Sequence, residues 1–396
     1  MITHSFYESD NRVIRYAETL AMRGDAVEVV ALRSDASLPR EEIINGVKLY
    51  RIQDRFGKTE KSKFSFLRPL LRFLIVSSRW LIRQHRRDHY DLLHVHNIPD
   101  FLVFAAWYPR LRGAKVILDI HDILPEFFDS KFGVSKTSAL TWGLRQMEAV
   151  SAAMADHVIL ANELWLEKYT SRSAAKEKCS VFINYVDQHI FVPQRRTRTC
   201  PGPVVMFPGG LQWHQGLDIA IRAFGKLRNR LPLAELHIYG DGNMKPALIT
   251  LSQQLGLSDS VRFFKPIPIH EIAGVMANAD LGIVPKRADS FGNEAYSTKI
   301  MEFMALGVPL VVSSTKIDRH YFSDSVVRFF ESGNDEAMAD AMFEVLTNVA
   351  LREGMVRRAN EYVARNSWER HKARYLQLVD SLVAGTPVPV TGMGRI

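Results

Sequence analysis

The chain of 396 residues has only two cysteines, Cys179 and Cys200, too few for a disulfide scaffold and without metal-ligand spacing. We expect no secretory leader, because the first residues show no apolar h-region, and no apolar run is long enough to cross a bilayer without an intervening charge. A G-x-G-x-x-G motif after a first strand is also missing, since the glycines of YGDG lack the third, which disfavours a nicotinamide oxidoreductase. These absences predict a soluble protein of the reducing cytoplasm.

The length fits two α/β domains, because one core rarely serves so long a chain. Buried apolar strands alternate with helices in both halves, for example KVILDI and HVILA early and LGIVP and PLVVS late. This pattern predicts parallel sheets covered on both faces. We therefore expect two Rossmann-like doubly wound domains facing a cleft, with a C-terminal helix crossing back to the first. The expected ranges are 1–192, a linker at 193–203, a second domain at 204–366, the helix at 367–385 and a disordered tail at 386–396.

The most informative stretch is FGNEAYSTKIMEFMALGVPLVVS, which begins at Phe291. It places Glu294 in a loop and Glu302 eight positions later inside a helix. The first turn of that helix contains two hydroxyls and a lysine, which with the free backbone N–H groups predict a diphosphate site. Carboxylates on either side are suited to accept hydrogen bonds from sugar and ribose hydroxyls.

In this stretch the sequence resembles family 4 of the retaining glycosyltransferases, which have the GT-B fold. GGLQWHQGLDIAIRAF, ELHIYGDG and VRFFKPI precede it in the order that the family shows. The resemblance implies that Glu294 binds hydroxyls of the donor sugar, with a catalytic role, and that Glu302 binds the ribose. The expected donor-binding residues are Gly209, Gly210, His214, Gln215, Gly240, Lys286, Ser297, Thr298, Lys299 and Glu302.

The resemblance also implies an Arg and a Lys in the first loop of the second domain, where this chain has Gly210 and Gln215. His214 and Lys299 are the expected replacements, with Lys286 nearby. The chain has no Asp-x-Asp pair to hold a cation on a diphosphate, so we expect neither a metal nor a cofactor.

In the first half, His121 follows the strand VILDI, and the resemblance implies a catalytic histidine there, near donor sugar and acceptor. We expect Asp122 to set the tautomer of His121, with His94 and His96 as competing candidates. After the first strand, Asn11 and Arg12 are the predicted acceptor-side contacts, and Asp10 is positioned to cap the following helix.

One segment carries the net charge of +8. Between Arg51 and Arg87 there are eleven Lys or Arg residues against Asp54 and Glu60. If residues 64–87 form a helix, its arginines at 68, 72, 79, 83 and 86 fall within a sector of about 60°. The stripe suits either an anionic membrane surface or the solvated face of a core helix. Nucleic acid is not expected, because no recognition motif accompanies the charge.

The sequence thus predicts a retaining glycosyltransferase that moves a sugar from a nucleotide diphosphate, UDP-linked, to a glycan or lipid-linked acceptor in surface polysaccharide synthesis. We expect it at the inner face of the plasma membrane. Two alternatives remain: a GT-B nucleotide-sugar epimerase, which needs no acceptor, and a noncatalytic membrane-associated sugar-nucleotide binding protein.

Overall fold

The computed structural model describes residues 1–55, 63–132, 138–198 and 201–388. Contacts divide the chain into two compact units. Unit 1 comprises Met1–Asn184 and the chain from His371 on, and unit 2 comprises Tyr185–Arg370.

The predicted linker at 193–203 belongs to unit 2, so the predicted boundary lies too late in the sequence. Arg196 forms an ion pair with Asp280 at 2.6 Å, and Arg198 pairs with the same carboxylate. The backbone N–H of Thr197 donates to Asn278 at 2.7 Å. Composition marked this segment as polar, but it could not reveal these partners about 80 residues away.

The strands of unit 1 are β1 (Ile2–Phe6), β2 (Glu28–Arg33), β3 (Glu41–Ile44), β4 (Val47–Asp54), β5 (Leu92–His96), β6 (Lys115–Ile120), β7 (His157–Leu160) and β8 (Cys179–Val181). They form one sheet in the order β3-β4-β2-β1-β5-β6-β7-β8. All neighbours are parallel except β3 and β4. Strands β1 to β4 form one half of the sheet and β5 to β8 form the other. The switch point of the sheet therefore lies between the neighbouring strands β1 and β5, as in a doubly wound domain.

The antiparallel hairpin of β3 and β4 was not among the predicted elements. Asn45 and Gly46 form its turn, with φ angles of 49° and 83°. Positive φ at both central residues is the geometry of a type I′ turn, which Asn-Gly favours. The dipeptide was therefore the sequence signal for this edge of the sheet.

The helices of unit 1 before the linker are α1 (Asn11–Arg23), α2 (Lys63–Arg87), α3 (Trp107–Leu111), α4 (Leu124–Phe132), α5 (Ala139–Met154) and α6 (Glu163–Thr170). The predicted cap of α1 is confirmed, because the Asp10 carboxylate accepts from the N–H of Val13 at 3.3 Å. Across the described residues, no helix combines the length and the apolar character that crossing a membrane requires.

The strands of unit 2 are β9 (Val204–Pro208), β10 (Glu235–Tyr239), β11 (Val261–Phe264), β12 (Leu281–Val284), β13 (Leu310–Ser313) and β14 (Arg328–Phe330). Its helices are α7 (Leu217–Arg230), α8 (Lys245–Gln254), α9 (Ile269–Ala277), α10 (Thr298–Ala305), α11 (Lys316–Tyr321), α12 (Asp335–Thr347) and α13 (Val349–Arg365). The sheet is entirely parallel, in the order β11-β10-β9-β12-β13-β14. Continuous apolar runs such as LGIV and LVVS are buried along their whole length, as strands covered on both faces require.

The last helix, α14 (Trp368–Ala384), joins unit 1 from His371 on. Tyr375 on this helix is fully buried, and its ring centroid lies 4.4 Å from that of Tyr16. The predicted disordered tail at 386–396 lies outside the described residues from position 389 on.

Candidate active site

In unit 2 the predicted donor residues collect at the carboxyl edge of the sheet. The chain leaves β9 toward β10 on one side and later returns to β12 on the other. Loops that diverge at such a switch point open a crevice, the usual ligand site of a doubly wound sheet. Gly209 and Gly210 follow β9, and Lys286 follows β12.

The structure brings Lys299, Gly209 and Gln215 together. Nζ of Lys299 lies 3.4 Å from Oε1 of Gln215 and 5.2 Å from the centre of the Phe207 ring. A Cβ on Gly209 would approach Cε of Lys299 to 2.5 Å, so the lysine stem occupies the space a side chain would need. Gly240 packs closely against the backbone of Gly209, because a Cβ on Gly240 would lie 1.9 Å from the Gly209 carbonyl oxygen.

Lys299 supplies a cation at the start of α10. Within the described ranges no carboxylate oxygen comes within ion-pairing distance of its ammonium group. Burial lowers the pKa of Lys299, although the Glu302 carboxylate acts in the opposite direction. An incoming anion would therefore stabilise the charged form of this lysine.

Ser297 and Glu302 complete the N-terminal part of α10. Ser297 is the N-cap residue, but its buried Oγ makes no hydrogen bond to any described residue, including the helix N–H groups. Burial raises the pKa of Glu302, while Lys299 and a hydrogen bond from Thr298 act against that shift. The N–H of Ile300 donates to the Ser297 carbonyl at 3.3 Å, so the free hydroxyl and the N–H groups of Thr298 and Lys299 are the donors left for an anion.

Lys286 does not take the predicted place as a donor contact. Its side chain is only 4% exposed, and its ammonium pairs with Asp318 at 3.0 Å and donates to the carbonyl of Ala295 at 2.7 Å. Lys286 thus holds the loop that carries Glu294 against the end of β12. The sequence missed Asp318, because its 32-residue separation from Lys286 carries no local signal.

The Glu294 loop is fixed by turns and by contacts with α11. The backbone N–H of Glu294 donates to the Phe291 carbonyl at 2.9 Å, which closes a tight turn. Asn293 accepts from the N–H of Lys316 through its side chain at 3.1 Å and from that of Ile317 through its carbonyl at 2.9 Å. Glu294 itself is partly exposed at this edge.

His214 stands beside this group as a neutral donor or acceptor. Burial lowers the pKa of His214, with Lys299 and Lys286 adding to the effect and Asp289 opposing it. The lowered pKa favours the neutral imidazole, which can still donate one hydrogen bond to a diphosphate. Arg287 is unsuited to that role, because it pairs with Asp218 at 2.5 Å and lies over the Trp213 ring.

In unit 1 a buried carboxylate, Asp119, organises the predicted histidines. Arg12 binds both of its oxygens, at 2.8 and 2.7 Å. Oδ2 of Asp119 also lies 3.2 Å from Nδ1 of His96, 3.5 Å from Nε2 of His121 and 3.6 Å from Nε2 of His94. Burial would raise the pKa of Asp119, but the Arg12 guanidinium holds it well below its usual range.

Arg12 is therefore not the predicted acceptor contact. It is 3% exposed, and besides Asp119 it donates to the Phe182 carbonyl at 2.7 Å and to Asn184 at 3.0 Å. All of these partners belong to unit 1, so the hydrogen bonds of the guanidinium are made within that unit. The signal for its partner was a charged residue in the middle of the apolar strand VILDI, since charges are buried only when paired. Asn11 begins α1 and is partly exposed.

His121 is 21% exposed and lies at the rim of a cavity of about 300 Å³. The side-chain oxygen of Asn97 accepts from the backbone N–H of His121 at 2.6 Å and fixes the end of β6. Asp122 lines the same cavity, and burial raises the pKa of its carboxyl to about 7 despite the nearby His121. The carboxylate close to the His121 ring is Asp119, not the predicted Asp122.

His94, His96 and Asp119 also place three metal-ligand atoms within 4.8 Å of one another. The sequence spacing did not show this group, because Asp119 lies on the next strand. Arg12 already occupies both carboxylate oxygens, so a cation here would face a fixed positive charge. The arrangement favours an ion-pair network over a metal centre.

Two family models match the chain. The model described as glycosyl transferase 4-like domain matches residues 10–184, and the model described as glycosyl transferases group 1 matches residues 195–362. The two ranges lie on either side of the boundary between the units and together cover most of both.

Full-length similarity extends to curated proteins and solved structures. The phosphatidyl-myo-inositol mannosyltransferase of Mycobacterium leprae is 24% identical over 388 residues, which cover 96% of this chain and 95% of that protein. Sucrose-phosphate synthase from Thermosynechococcus elongatus superposes with a TM-score of 0.77 at 18% identity, over 95% of this chain and 93% of the other. HepE of Anabaena, solved with UDP and glucose, gives 0.70 at 16%, over 96% and 98%. These structures confirm the predicted fold of two Rossmann-like domains.

Proposed function

The chain belongs to the family 4 glycosyltransferases of the GT-B fold, and from that premise we propose that it transfers a sugar from a UDP-linked donor to a glycan or lipid-linked acceptor. The observation that carries the proposal is the start of α10. There the Lys299 ammonium, the unbonded Ser297 hydroxyl and the orphan N–H groups of the first turn lie at the switch point of the sheet. This set of donors suits a diphosphate.

The donor assignment follows from the chemistry of the flanking residues. Lys299 and the helix start bind the diphosphate, Glu302 accepts from the ribose hydroxyls, and Glu294 accepts from the sugar. UDP is proposed because HepE, which shares the fold, was solved with UDP and glucose. A neutral His214 adds a hydrogen bond without charge.

The reaction itself is proposed to retain the anomeric configuration. The bond between the sugar C1 and the β-phosphate oxygen breaks, and UDP leaves with the electron pair. The acceptor oxygen forms its bond to C1 on the same face, and its proton passes to the departing phosphate. Lys299 and the N–H groups of α10 stabilise the charge that develops on that phosphate. In comparable sites each such donor lowers the activation free energy by roughly 3 to 4 kcal/mol.

The acceptor is proposed to enter the cavity in unit 1 that His121 and Asp122 line. Ser5, Asp10 and Arg55 line it as well, so hydroxyl-rich and anionic groups both find partners there. A lipid-linked acceptor is supported by the Mycobacterium leprae relative, a phosphatidyl-myo-inositol mannosyltransferase.

We also propose that α2 and α3 rest on an anionic membrane surface at the inner face of the plasma membrane. Leu70, Phe73 and Leu81 bury one face of α2, whereas the arginines at 68, 72, 79 and 83 are exposed. Leu71 and Ile75 are also exposed, and at about 100° per residue they border the arginine stripe.

The adjacent helix α3 extends this surface. Its Trp107 is 45% exposed and donates from Nε1 to Ser78 of α2 at 3.1 Å, and Leu111 is exposed one turn further on. An aromatic ring and apolar side chains next to arginines are the composition of an interfacial surface. If the arginine face were only solvated, the exposed apolar side chains of Leu71 and Ile75 on α2 and of Leu111 on α3 would have no binding role.

Replacing Glu294 with Gln tests the function. We expect Glu294→Gln to abolish sugar transfer to a lipid acceptor while its melting temperature stays near that of the native protein, because the loop geometry uses backbone groups. The matched control is Glu271→Gln, which changes an exposed side chain on α9 and should retain full activity. Near-normal turnover of Glu294→Gln, measured as UDP release, would contradict the assignment. We propose that transfer needs no metal or cofactor, so activity should persist in EDTA.

The same assay separates the alternatives. Consumption of the donor only when acceptor is present supports transfer. Conversion of the donor without acceptor into its epimer indicates an epimerase, and tight donor binding with no turnover under any acceptor indicates a binding protein.

A further inference from the structure

The pair formed by His96 and His121 determines which nitrogen His121 offers to a ligand. Nδ1 of His96 and Nε2 of His121 are 3.1 Å apart, and the two rings meet edge to face. Two neutral imidazoles at this distance can place only one proton between the facing nitrogens. Whichever ring donates therefore fixes the tautomer of both.

The surroundings of His96 favour it as the donor of the pair. Its side chain is fully buried, and its Nε2 has no hydrogen-bond partner among the described residues. A proton on Nε2 would leave a buried N–H without an acceptor, a larger cost than an unused lone pair. Burial, with His94 nearby, lowers the pKa of His96 well below its usual range, so the ring stays neutral with its single proton on Nδ1.

Asp119 stabilises the same tautomer. Its Oδ2 lies 3.2 Å from Nδ1 of His96, close enough to accept from that N–H together with the His121 ring. Arg12 keeps the carboxylate ionised and fixes its position through two hydrogen bonds. The carboxylate therefore favours a proton on Nδ1 of His96. Nε2 of His121 lies 3.5 Å from the same oxygen, which is longer than an ordinary N–H···O hydrogen bond.

We propose that His96 is a positioning residue that forces Nε2 of His121 to accept, so that the His121 proton sits on Nδ1 and meets the ligand as a hydrogen-bond donor. Within the described residues Nδ1 of His121 has no partner, and the side chain lies at the cavity rim. The role at the ligand rests on the proposed function, whereas the tautomer rests on unit 1 alone. His121 thus supports a sugar or acceptor oxygen and does not act as a base through Nδ1.

The tautomer can be measured directly in the full-length native protein. In protein labelled with ¹⁵N-histidine, long-range ¹H–¹⁵N correlation distinguishes a protonated Nδ1 from a protonated Nε2, and His121→Gln identifies the His121 signals by their loss. We expect the native protein to show a protonated Nδ1 on His121. A protonated Nε2 would overturn the proposal, whether or not sugar transfer is found.

Substitution of His96 tests the cause. His96→Leu should turn the His121 pattern into a mixture of tautomers, and His96→Asn, which keeps an amide donor near Nδ1, should restore the native pattern. Tyr375→Phe is the control, because it removes the hydroxyl that bonds His94 at 3.0 Å in the same buried cluster without touching His121. An unchanged Nδ1–H pattern in folded His96→Leu would overturn the role of His96.

Kinetics add a second readout. We expect His96→Leu to lower kcat by between about 10-fold and 10⁴-fold, the upper value being that of an imidazole held in the wrong tautomer. UDP affinity should not change, since the donor residues are in unit 2. His96→Asn should recover most of the loss. Equal losses in His96→Leu and Tyr375→Phe would show a merely structural role and contradict the proposal.

Discussion

Gly209 and Gly210 are adjacent, yet only Gly209 is irreplaceable in this structure. Gly209 has a φ of 134°, which L-residues rarely adopt, and a Cβ there would displace the Lys299 stem. Gly210 would place its Cβ 3.8 Å from Gln212, an ordinary contact. We predict that Gly209→Ala lowers the free energy of unfolding by about 1–3 kcal/mol and weakens UDP binding.

Gly210→Ala is the matched control for this prediction. It should not change urea denaturation by a measurable amount, because its Cβ makes only an ordinary contact within the protein. Equal effects of the two alanines would contradict the role assigned to the Gly209 backbone.

Asp100 makes stability depend on pH. It is 1% exposed, and burial raises the pKa of its carboxyl to about 7, although the hydrogen bond from Asn97 at 2.8 Å opposes the shift. Between about pH 4 and 7 the folded protein therefore binds more protons at this site than the unfolded chain. The contribution of Asp100 to the free energy of unfolding falls as the pH rises through that window.

Asp100→Asn removes this titration and keeps an acceptor for Asn97. We predict that its stability relative to the native protein improves from pH 5 to pH 8, by an amount on the order of 1–4 kcal/mol. Urea denaturation at both pH values measures the difference. A constant difference between the two proteins would show that the carboxyl does not titrate in that range.

At the scale of elements, Tyr375 is a large buried contact between α14 and the rest of unit 1, and Asp380 of the same helix forms an ion pair with Arg23 at 2.7 Å. Tyr375 packs against Tyr16 and Phe182, and its hydroxyl bonds His94 at 3.0 Å. We predict that Tyr375→Ala lowers the free energy of unfolding by about 3–5 kcal/mol, because it empties a large buried site. Tyr375→Phe should cost only about 1 kcal/mol, the value of one hydrogen bond.

Chemical denaturation followed by circular dichroism measures both losses. Val383, exposed on the same helix, provides the control, since Val383→Ala should have little effect. A small loss in Tyr375→Ala would mean that α14 contributes little to unit 1.

The positions of the main elements followed from the sequence. The Asp10 cap placed the start of α1, and the predicted helix at 367–385 matches α14 to within one residue at each end, because such helices bury an amphipathic face and have recognisable ends. The β3–β4 hairpin was missed, because β3 has only 4 residues and alternates between exposed and half-buried positions at the edge of the sheet.

At the scale of the whole molecule, the excess positive charge lies in one segment, and the proposed membrane contact depends on it. We predict that Arg72→Gln, Arg79→Gln and Arg83→Gln, combined, weaken binding to vesicles of equal parts phosphatidylcholine and phosphatidylglycerol by on the order of 100-fold. Sedimentation with the vesicles measures the affinity, which should also fall as salt rises.

A second triple variant controls for net charge. Arg222→Gln, Arg357→Gln and Arg365→Gln remove the same charge from exposed positions of unit 2 and should leave vesicle binding unchanged. Equal losses of vesicle affinity in both variants would show that the overall charge of the protein, and not the α2 segment, determines binding. No binding by the native protein would refute the membrane contact.

The sequence by itself determined the two doubly wound sheets and the helix that carries Glu302, because these depend on local periodicity, caps and spacing. The diphosphate site at that helix and the roles of Lys299 and His121 remain predictions from the sequence. Only the tertiary structure decided that Arg12 and Lys286 are structural ion-pair partners. Their carboxylates, Asp119 and Asp318, come from distant positions, and burial makes pairing obligatory for such charges. The proposed tautomer of His121 depends in the same way on His96. His96 ends β5, the strand beside β6, and no local sequence pattern specifies that the two residues meet.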